Sequence, residues 1–378
     1  MEMHGTVKGG VYETLPTTHY FDSAIFEREK TRIFQRCWQL AGHVSDIPNQ
    51  GDFFAADISG KSIVVLRGKD DIVRGFYNVC IHRGHELLTG KGCVNHIICP
   101  YHAWMYDTTG QLQNVPNGDA FPGLDVTDHS LNQVNLNTFM GLILINLDKN
   151  AIPFEEFAGD AADEIRERVP NLESYVHVER TERNSPANWK IEAENFNDCY
   201  HCPVIHRTLT SGVVDPTKYR TRKRPYGILH ESPVRPDEQK SFDYMADANR
   251  KTDKFITWWF WPFFVVQVYP GGYVNTCRWK PISLNETKVE VDWWMPSKTL
   301  SPVEAELIKQ QRETTFHEDG EVVKSVQRGL ESGGLEKGMV MVDEACSSLS
   351  EHPIVAFHEH YFAAMEQHYL RVITVVRT

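Results

Sequence analysis

Four residues in the first third of the chain have the types and spacing of metal ligands: Cys80, His82, Cys99 and His102, in "CIHRGHELLTGKGCVNHIICPYHAW". They form two pairs, Cys-x-His and Cys-x-x-His, with sixteen residues between them. Two thiolates and two imidazoles could hold zinc, but zinc sites usually pair Cys with Cys and His with His along the chain. Here each loop supplies one of each. That division suits a [2Fe–2S] cluster in which one iron takes both sulfurs and the other both imidazoles. Neutral imidazoles in place of two anionic thiolates leave the cluster less negative, so it accepts an electron more readily and can act as a relay. His85 and His96 lie inside the stretch but off its spacing, and read as ordinary hydrogen-bonding or exposed histidines.

More than two hundred residues follow, so a relayed electron needs a destination. The stretch "NWKIEAENFNDCYHCPVIH" (188–206) offers one. Its start reads as a helix over 188–201, with Trp189, Ala193, Phe196 and Tyr200 on one face. Glu194, Asn195, Asp198 and His201 lie on the other. Asp198 and His201 are neighbours at a spacing of three. His206 is five residues beyond His201, and five residues turn an unbroken helix by about 140°. Pro203 cannot donate its backbone hydrogen bond, so the helix is expected to kink or end there and let His206 swing back. Two such histidines and one carboxylate make a facial triad, which leaves positions open on Fe(II) for O₂ and substrate.

The elements that must position these residues alternate in texture. Residues 21–37 have apolar side chains at helical spacing. From 38 to about 148, short apolar runs such as "SIVVL" (62–66) and "GLILINL" (141–147) are separated by Gly, Asp and Asn turns, which predicts many short strands. Residues 153–180 read as helical, and 212–255 as long polar loops. Strands are expected in 255–269, 273–282 and 288–296, and a long charged helix over 301–330, capped by Ser301 with Pro302 at its first position. The net charge of −12 argues against nucleic acid, which needs a basic surface. No signal peptide is apparent, and the most apolar run (258–270) is too short to span a bilayer, so the protein is expected in the cytoplasm. In that setting Cys37, Cys93, Cys199, Cys202, Cys277 and Cys346 read as reduced thiols, mostly buried.

With both motifs in view, the sequence resembles the oxygenase (α) subunits of Rieske non-haem iron oxygenases along nearly its whole length. "CIHRGHELL…CPYHAWMYD" is similar to their cluster motif, and "NWKIEAENFNDCYHCPVIH" to their mononuclear-iron motif. Within that class it is similar to the components that act on carnitine, stachydrine, glycine betaine and choline, through "FYNVCIHRGHELL", "CYHC", "VQRGLES" and the late "SEH…FH". The resemblance implies an α+β fold. A helical segment (1–37) packs on the catalytic domain, an antiparallel β Rieske domain (38–150) follows, then a helix-grip catalytic domain of START/Bet v1 type (151–378). It implies Cys80, His82, Cys99 and His102 as cluster ligands, and His201, His206 and an acid shortly before "VQRGL" as Fe(II) ligands. Asp319 fits that place; Glu318 is the adjacent rival and Asp343 a distant one. Asp198 would bridge electrons between subunits of a head-to-tail homotrimer, from His102 of one chain to His201 of the next. The carnitine enzyme has Glu at that position, where this chain has Asp.

No G-x-G-x-x-G fingerprint and no ferredoxin-type cysteine spacing occurs, so electrons are expected from NAD(P)H through a separate reductase carrying flavin and its own iron–sulfur cluster. The implied reaction is hydroxylation of a small quaternary ammonium substrate with O₂, giving N-demethylation or C–N cleavage. The rivals are aromatic-ring dihydroxylation on the same architecture, and a non-catalytic electron carrier or zinc-stabilised binding module. Trp258, Trp259, Phe260, Trp261, Phe263, Tyr269, Trp293 and Trp294 form an aromatic region whose ring faces could hold an ammonium, although strand alternation lets only about half of them face the iron.

Overall fold

The structure, a computed structural model, describes residues 10–234 and 254–366. It divides into two compact units: Gln35–Phe154, and the flanking chain up to Phe34 and from Glu155 onward.

The Gln35–Phe154 unit is built from three small antiparallel sheets. Its logic is clearest in the strand Lys61–Arg67, where Ile63, Val64, Val65 and Leu66 are all buried. Successive side chains of a strand point to opposite faces. Ile63 and Val65 therefore enter one apolar cluster with Phe54, Ile143 and Ile145, and Val64 and Leu66 enter another with Phe53, Phe76 and Tyr106. The second cluster also contains Cys80 and Cys99, so both cysteine loops stand on a packed floor.

The other unit has a seven-stranded antiparallel sheet. Its strands are β1 (Val176–Ser185), β2 (Arg220–Arg224), β3 (Gly227–Pro233), β4 (Lys254–Phe260), β5 (Phe264–Tyr269), β6 (Tyr273–Ser283) and β7 (Glu286–Met295), in the order β1-β7-β6-β5-β4-β3-β2. Helices α1 (Ser23–Glu29), α2 (Trp189–Asn197), α3 (Pro302–Glu313), α4 (Thr315–Glu331) and α5 (His352–Met365) belong to the same unit. The α+β architecture expected from the sequence is the one observed.

Helix α2 is fixed at its start by buried polar contacts. The Asn188 side chain caps it by accepting from Lys190 N at 3.0 Å, and donates through Nδ2 to the carbonyls of Tyr20 and Leu284. Lys190 Nζ lies 2.7 Å from Glu29 Oε1, and both side chains are fully buried. Trp189 Nε1 donates to Glu29 Oε2 at 2.8 Å and the Tyr361 hydroxyl to Glu29 Oε1 at 2.9 Å. One buried carboxylate thus ties α1, α2 and α5 together. Trp189 sits edge-on among Phe34, Trp261, Phe263 and Phe357.

Several boundaries differ from expectation. The 21–37 helix is α1 followed by a π-turn, Lys30–Phe34. The helical reading of 153–180 holds only for Phe154–Ala158 and Asp160–Arg168; from Val176 the chain is strand β1. The loop expected over 212–255 contains β2 and β3, whose polar edge residues masked their strand character, and begins β4; residues 235–253 lie outside the described residues. Ser301 caps the helix and Pro302 opens it as expected, and the Glu304 side chain returns the bond to Ser301 N. The helix over 301–330 is two helices, broken at Thr314, where φ and ψ are −113° and −90° and the hydroxyl turns back to the Gln310 carbonyl.

Burial lowers the Lys190 pKa against the pull of Glu29, so its charge depends on that partner. Glu29→Gln should cost about 3–5 kcal/mol, the usual penalty for breaking a buried pair. Chemical denaturation checks it: a midpoint matching the parent would mean the pair carries little.

Candidate metal centres and the catalytic cavity

The two cysteine loops share one backbone plan. Cys80 N donates to the His85 carbonyl at 2.8 Å, and Cys99 N to the Trp104 carbonyl at 2.8 Å. Gly84 N donates to the Cys80 carbonyl, and Ala103 N to the Cys99 carbonyl. Each loop closes on a residue with positive φ four places after its cysteine, Gly84 at +75° and Ala103 at +55°. Glycine tolerates this freely; alanine does so at a cost of roughly 1–2 kcal/mol, which the surrounding hydrogen bonds offset.

The imidazoles of His82 and His102 meet with ring centroids 4.8 Å apart, and the sulfurs lie in the buried cluster beneath them. Among the described residues, one group of three or more His, Cys, Asp or Glu side chains has its ligand atoms within 4.8 Å of one another, and these four are not in it. The two buried thiols on one side and the two facing imidazoles on the other fit a rhomb of two irons and two sulfides.

Two neighbours of this site escaped the sequence reading. Trp104 stacks on His82 with centroids 4.6 Å apart and planes at 1°. The Tyr106 hydroxyl lies 3.2 Å from Cys80 Sγ. His102 Nε2 is 2.9 Å from Arg83 Nη2, and His85 Nδ1 is held by the Glu86 carbonyl.

The other constellation is the group within 4.8 Å: His201, His206 and Asp319. Helix α2 ends at Asn197, and Asp198, in extended conformation, is its C-cap. The break expected at Pro203 thus occurs five residues earlier. Pro203 instead opens the one-turn helix Cys202–Ile205, a first-turn role its missing N–H suits. The Asp198 carboxylate accepts from Tyr200 N at 2.7 Å and shapes the bend. Tyr200 is consequently half exposed and leaves the face it was expected to share with Trp189. Glu194 points away from the metal-facing side, to the Tyr20 hydroxyl at 2.7 Å and His358 Nε2 at 2.9 Å.

His201 Nε2 and His206 Nε2 are 3.0 Å apart, and Asp319 Oδ1 is 3.7 and 3.0 Å from them. Adjacent octahedral ligands about 2.1 Å from a shared ion stand about 3 Å apart. The other ring nitrogens face carboxylates: His201 Nδ1 is 3.2 Å from Asp198 Oδ2, and His206 Nδ1 2.8 Å from Glu318 Oε2. With each Nδ1–H donating outward, both Nε2 lone pairs aim at the Asp319 oxygen. Three acceptors converging in this way suit a cation among them. Burial opposes a charge on His201, but Asp198 and Asp319 prevail and push its pKa up to about 10. Burial also opposes the Asp319 charge, and the imidazoles hold its carboxyl well below the usual range. The site demands positive charge, and its donor set fits Fe(II). Asn195 Nδ2 donates to Asp319 Oδ1 at 2.8 Å, an orienting contact the sequence reading missed. Glu318 sits behind His206 rather than in the triad, and Asp343 is turned to the Ser347 backbone.

The triad opens on a cavity. Alternate residues of four adjacent strands line it: Phe255 and Thr257 of β4, Gln267 and Tyr269 of β5, Asn275 and Cys277 of β6, and Val291 and Trp293 of β7. Of the eight aromatics singled out from sequence, only Tyr269 and Trp293 line it. Trp258 is hydrogen-bonded to Glu164 and Trp294 to Thr276, while Trp259, Trp261 and Phe263 pack in the core around Phe357 and Trp189. Phe196, Tyr219, Phe255, Trp279 and Phe316 line the cavity unforeseen. So do Gln267 and Asn275, whose signal was present: polar residues in strands otherwise apolar.

Residues 37–134 match the Rieske [2Fe-2S] domain family, and residues 172–367 match the catalytic domain of ring hydroxylating alpha subunits. The carnitine monooxygenase oxygenase subunit of Acinetobacter baumannii is 33% identical over 94% of this chain and 95% of its own length. The chain belongs to the Rieske oxygenase alpha subunits. Like other members of that family, this Rieske oxygenase is an oxidoreductase whose cofactors are a Rieske [2Fe–2S] cluster and a mononuclear iron. The Escherichia coli carnitine monooxygenase oxygenase subunit is 33% identical over 91% of this chain and 92% of its own. A solved quaternary ammonium Rieske monooxygenase superposes with a TM-score of 0.84 at 31% identity, over 94% of this chain and 96% of that one. Naphthalene 1,2-dioxygenase from Rhodococcus sp., 23% identical with a TM-score of 0.76, over 93% of this chain and 94% of that one, shares the fold. Among the described residues, no helix is long and apolar enough to cross a membrane.

The Tyr106 contact yields a test. A hydroxyl donor to a cluster sulfur favours the more negative reduced state. Tyr106→Phe should lower the reduction potential by tens of millivolts, the equivalent of about 1 kcal/mol for one hydrogen bond. A redox titration followed by electron paramagnetic resonance reads it, and an unchanged potential would show the contact electrically silent.

Proposed function

We propose that this Rieske oxygenase is a monooxygenase of small quaternary ammonium compounds, served by a separate flavin and iron–sulfur reductase and assembled as a head-to-tail homotrimer. In this reading Cys80, Cys99, His82 and His102 hold the [2Fe–2S] cluster, and His201, His206 and Asp319 hold Fe(II). When bound, the cluster relays single electrons and the ferrous ion activates O₂.

The cavity wall is the main support. Aromatic faces of Tyr219, Phe255, Tyr269 and Trp293 gather there and can hold an ammonium by cation–π attraction. The same wall carries buried polar atoms without a hydrogen-bond partner, among them Thr181 Oγ1, Asn275 Oδ1, Gln311 Nε2 and Thr315 Oγ1. An arene would leave all of them unpaired, which disfavours ring dihydroxylation. The relatives that act on carnitine point the same way.

The chain's own residues hold, orient and exclude. Asp198 and Glu318 fix the tautomers of His201 and His206, and Asn195 orients Asp319. The aromatic wall holds the ammonium and keeps water from its methyl and methylene carbons. Oxygen inserted into a C–H bond beside nitrogen gives R–CH(OH)–N⁺(CH₃)₃, with the second oxygen atom leaving as water after two electrons and two protons. The carbinolamine then breaks at C–N into an aldehyde and protonated trimethylamine.

Asp198 is the proposed bridge between subunits. It touches His201, and Tyr200 and Val204 beside it are 50% and 68% exposed. Near His102, Ile98 and Tyr101 are 51% and 55% exposed. Two such apolar patches, each beside a redox group, suit two faces of one heterologous contact.

Iron-loaded protein incubated with such a reductase, NADH and a panel of betaines and arenes should release amine or formaldehyde from a betaine and no diol from arenes; diol without amine would transfer the assignment to ring hydroxylation. Asp198→Asn should keep its iron while coupled turnover falls on the order of 100-fold. Full turnover in that variant would remove the bridge.

A further inference from the structure

Two of the unpaired atoms form a unit. Asn275 is 2% exposed and Gln311 7% exposed, and both line the cavity. They come from different elements, β6 and α3, and the Tyr269 hydroxyl of β5 joins them. Asn275 Nδ2 donates to that hydroxyl at 3.4 Å, and the hydroxyl donates to Gln311 Oε1 at 3.4 Å. A tyrosine that accepts from one amide and donates to the other fixes the orientation of both. Asn275 is left with a free acceptor, Oδ1, and Gln311 with a free donor, Nε2; both atoms are buried and lack a partner among the described residues.

Leaving such atoms unpaired costs about 1–3 kcal/mol each, and a native structure that retains them has a use for them. Their surroundings sharpen the point. Leu209, Phe255, Trp293, Met295 and Leu307 form the apolar cluster around Tyr269, so the pair is a polar spot in a greasy wall. Across the strands Asn275 stands between Gln267 and Trp293, and Gln267 donates to Thr257 at 3.2 Å. Gln267 and Thr257 therefore satisfy each other, whereas Asn275 and Gln311 each keep an atom for something in the cavity.

We propose that Asn275 and Gln311, set by Tyr269, form a subsite for a hydroxyl group on the substrate chain, so that this enzyme selects hydroxylated quaternary ammonium compounds over their deoxy analogues. A hydroxyl both donates and accepts, which matches one free acceptor and one free donor. A carboxylate only accepts, and would set its charge against Asn275 Oδ1. A methylene satisfies neither atom. A site built to hydrogen-bond a substrate hydroxyl discriminates strongly against the analogue lacking it, because its own buried groups are then stranded.

This inference rests on the quaternary-ammonium reading, and the test separates the two. Iron-loaded protein without reductase, which cannot turn over, is titrated calorimetrically with L-carnitine and with γ-butyrobetaine, compounds that differ by one hydroxyl. The parent should bind the hydroxylated compound at least about tenfold more tightly. Asn275→Leu and Gln311→Met, close in size to the originals, should bring that ratio below about threefold while γ-butyrobetaine still binds, which also reports that the variants are folded. Equal affinities in the parent, or a preference that survives in both variants, would overturn the subsite alone. If neither compound binds, the quaternary-ammonium reading falls and takes the subsite with it.

Discussion

The ion pair between Lys190 and Glu29 is the constraint on which the catalytic unit rests. Two opposite charges out of contact with water hold only if each is fully met, and here the Glu29 carboxylate is met by Lys190, Trp189 and Tyr361 together. That fixes the start of α2 against α1 and α5. The helix is short, nine residues, so its end at Asn197 is placed by its start. Asp198, His201 and His206 follow within nine residues of that end, and the accuracy of their placement is inherited from an interaction outside them. The N-terminal helix is therefore part of the catalytic architecture, although it carries no chemistry.

Around His201, His206 and Asp319, electrostatics and hydrogen bonding select one arrangement. Carboxylates behind both imidazoles orient the rings, and a carboxylate in front completes the trio. Two imidazole nitrogens and a carboxylate oxygen meet at the centre, a donor set that suits a cation. The cysteine loops reach a comparable end by backbone means. Two hairpin-like turns with the same hydrogen bonds bring one thiol and one imidazole each, and the packed floor beneath them keeps the sulfurs out of water.

Much of this was legible in the sequence because metal chemistry constrains residue type and spacing together. The Cys-x-His and Cys-x-x-His pairs, and the Asp198, His201 and His206 series, lie close in sequence, so local reading sufficed. Asp319 came only through resemblance, since its partners are more than a hundred residues away and its neighbour Glu318 is chemically alike. The cavity lining was mostly misread. Trp258, Trp259, Phe260, Trp261 and Phe263 look like a binding region, but strand alternation and the depth of the core send them elsewhere. Which face of a strand meets a cavity depends on tertiary placement, which no local pattern records. The end of α2 was misplaced because Asp198 stops the helix with its own side chain before Pro203 can, and the 301–330 helix hid its break because Thr314 resembles any other residue of a polar helical face.

That break at Thr314 separates two responsibilities. On one side, α3 brings Gln311 to the cavity wall; on the other, α4 brings Glu318 and Asp319 to His201 and His206. A continuous rod would transmit any shift in the one to the other. Two rods joined at an unwound residue let the α3 side of the cavity be remodelled without displacing the carboxylates that α4 holds against the histidines.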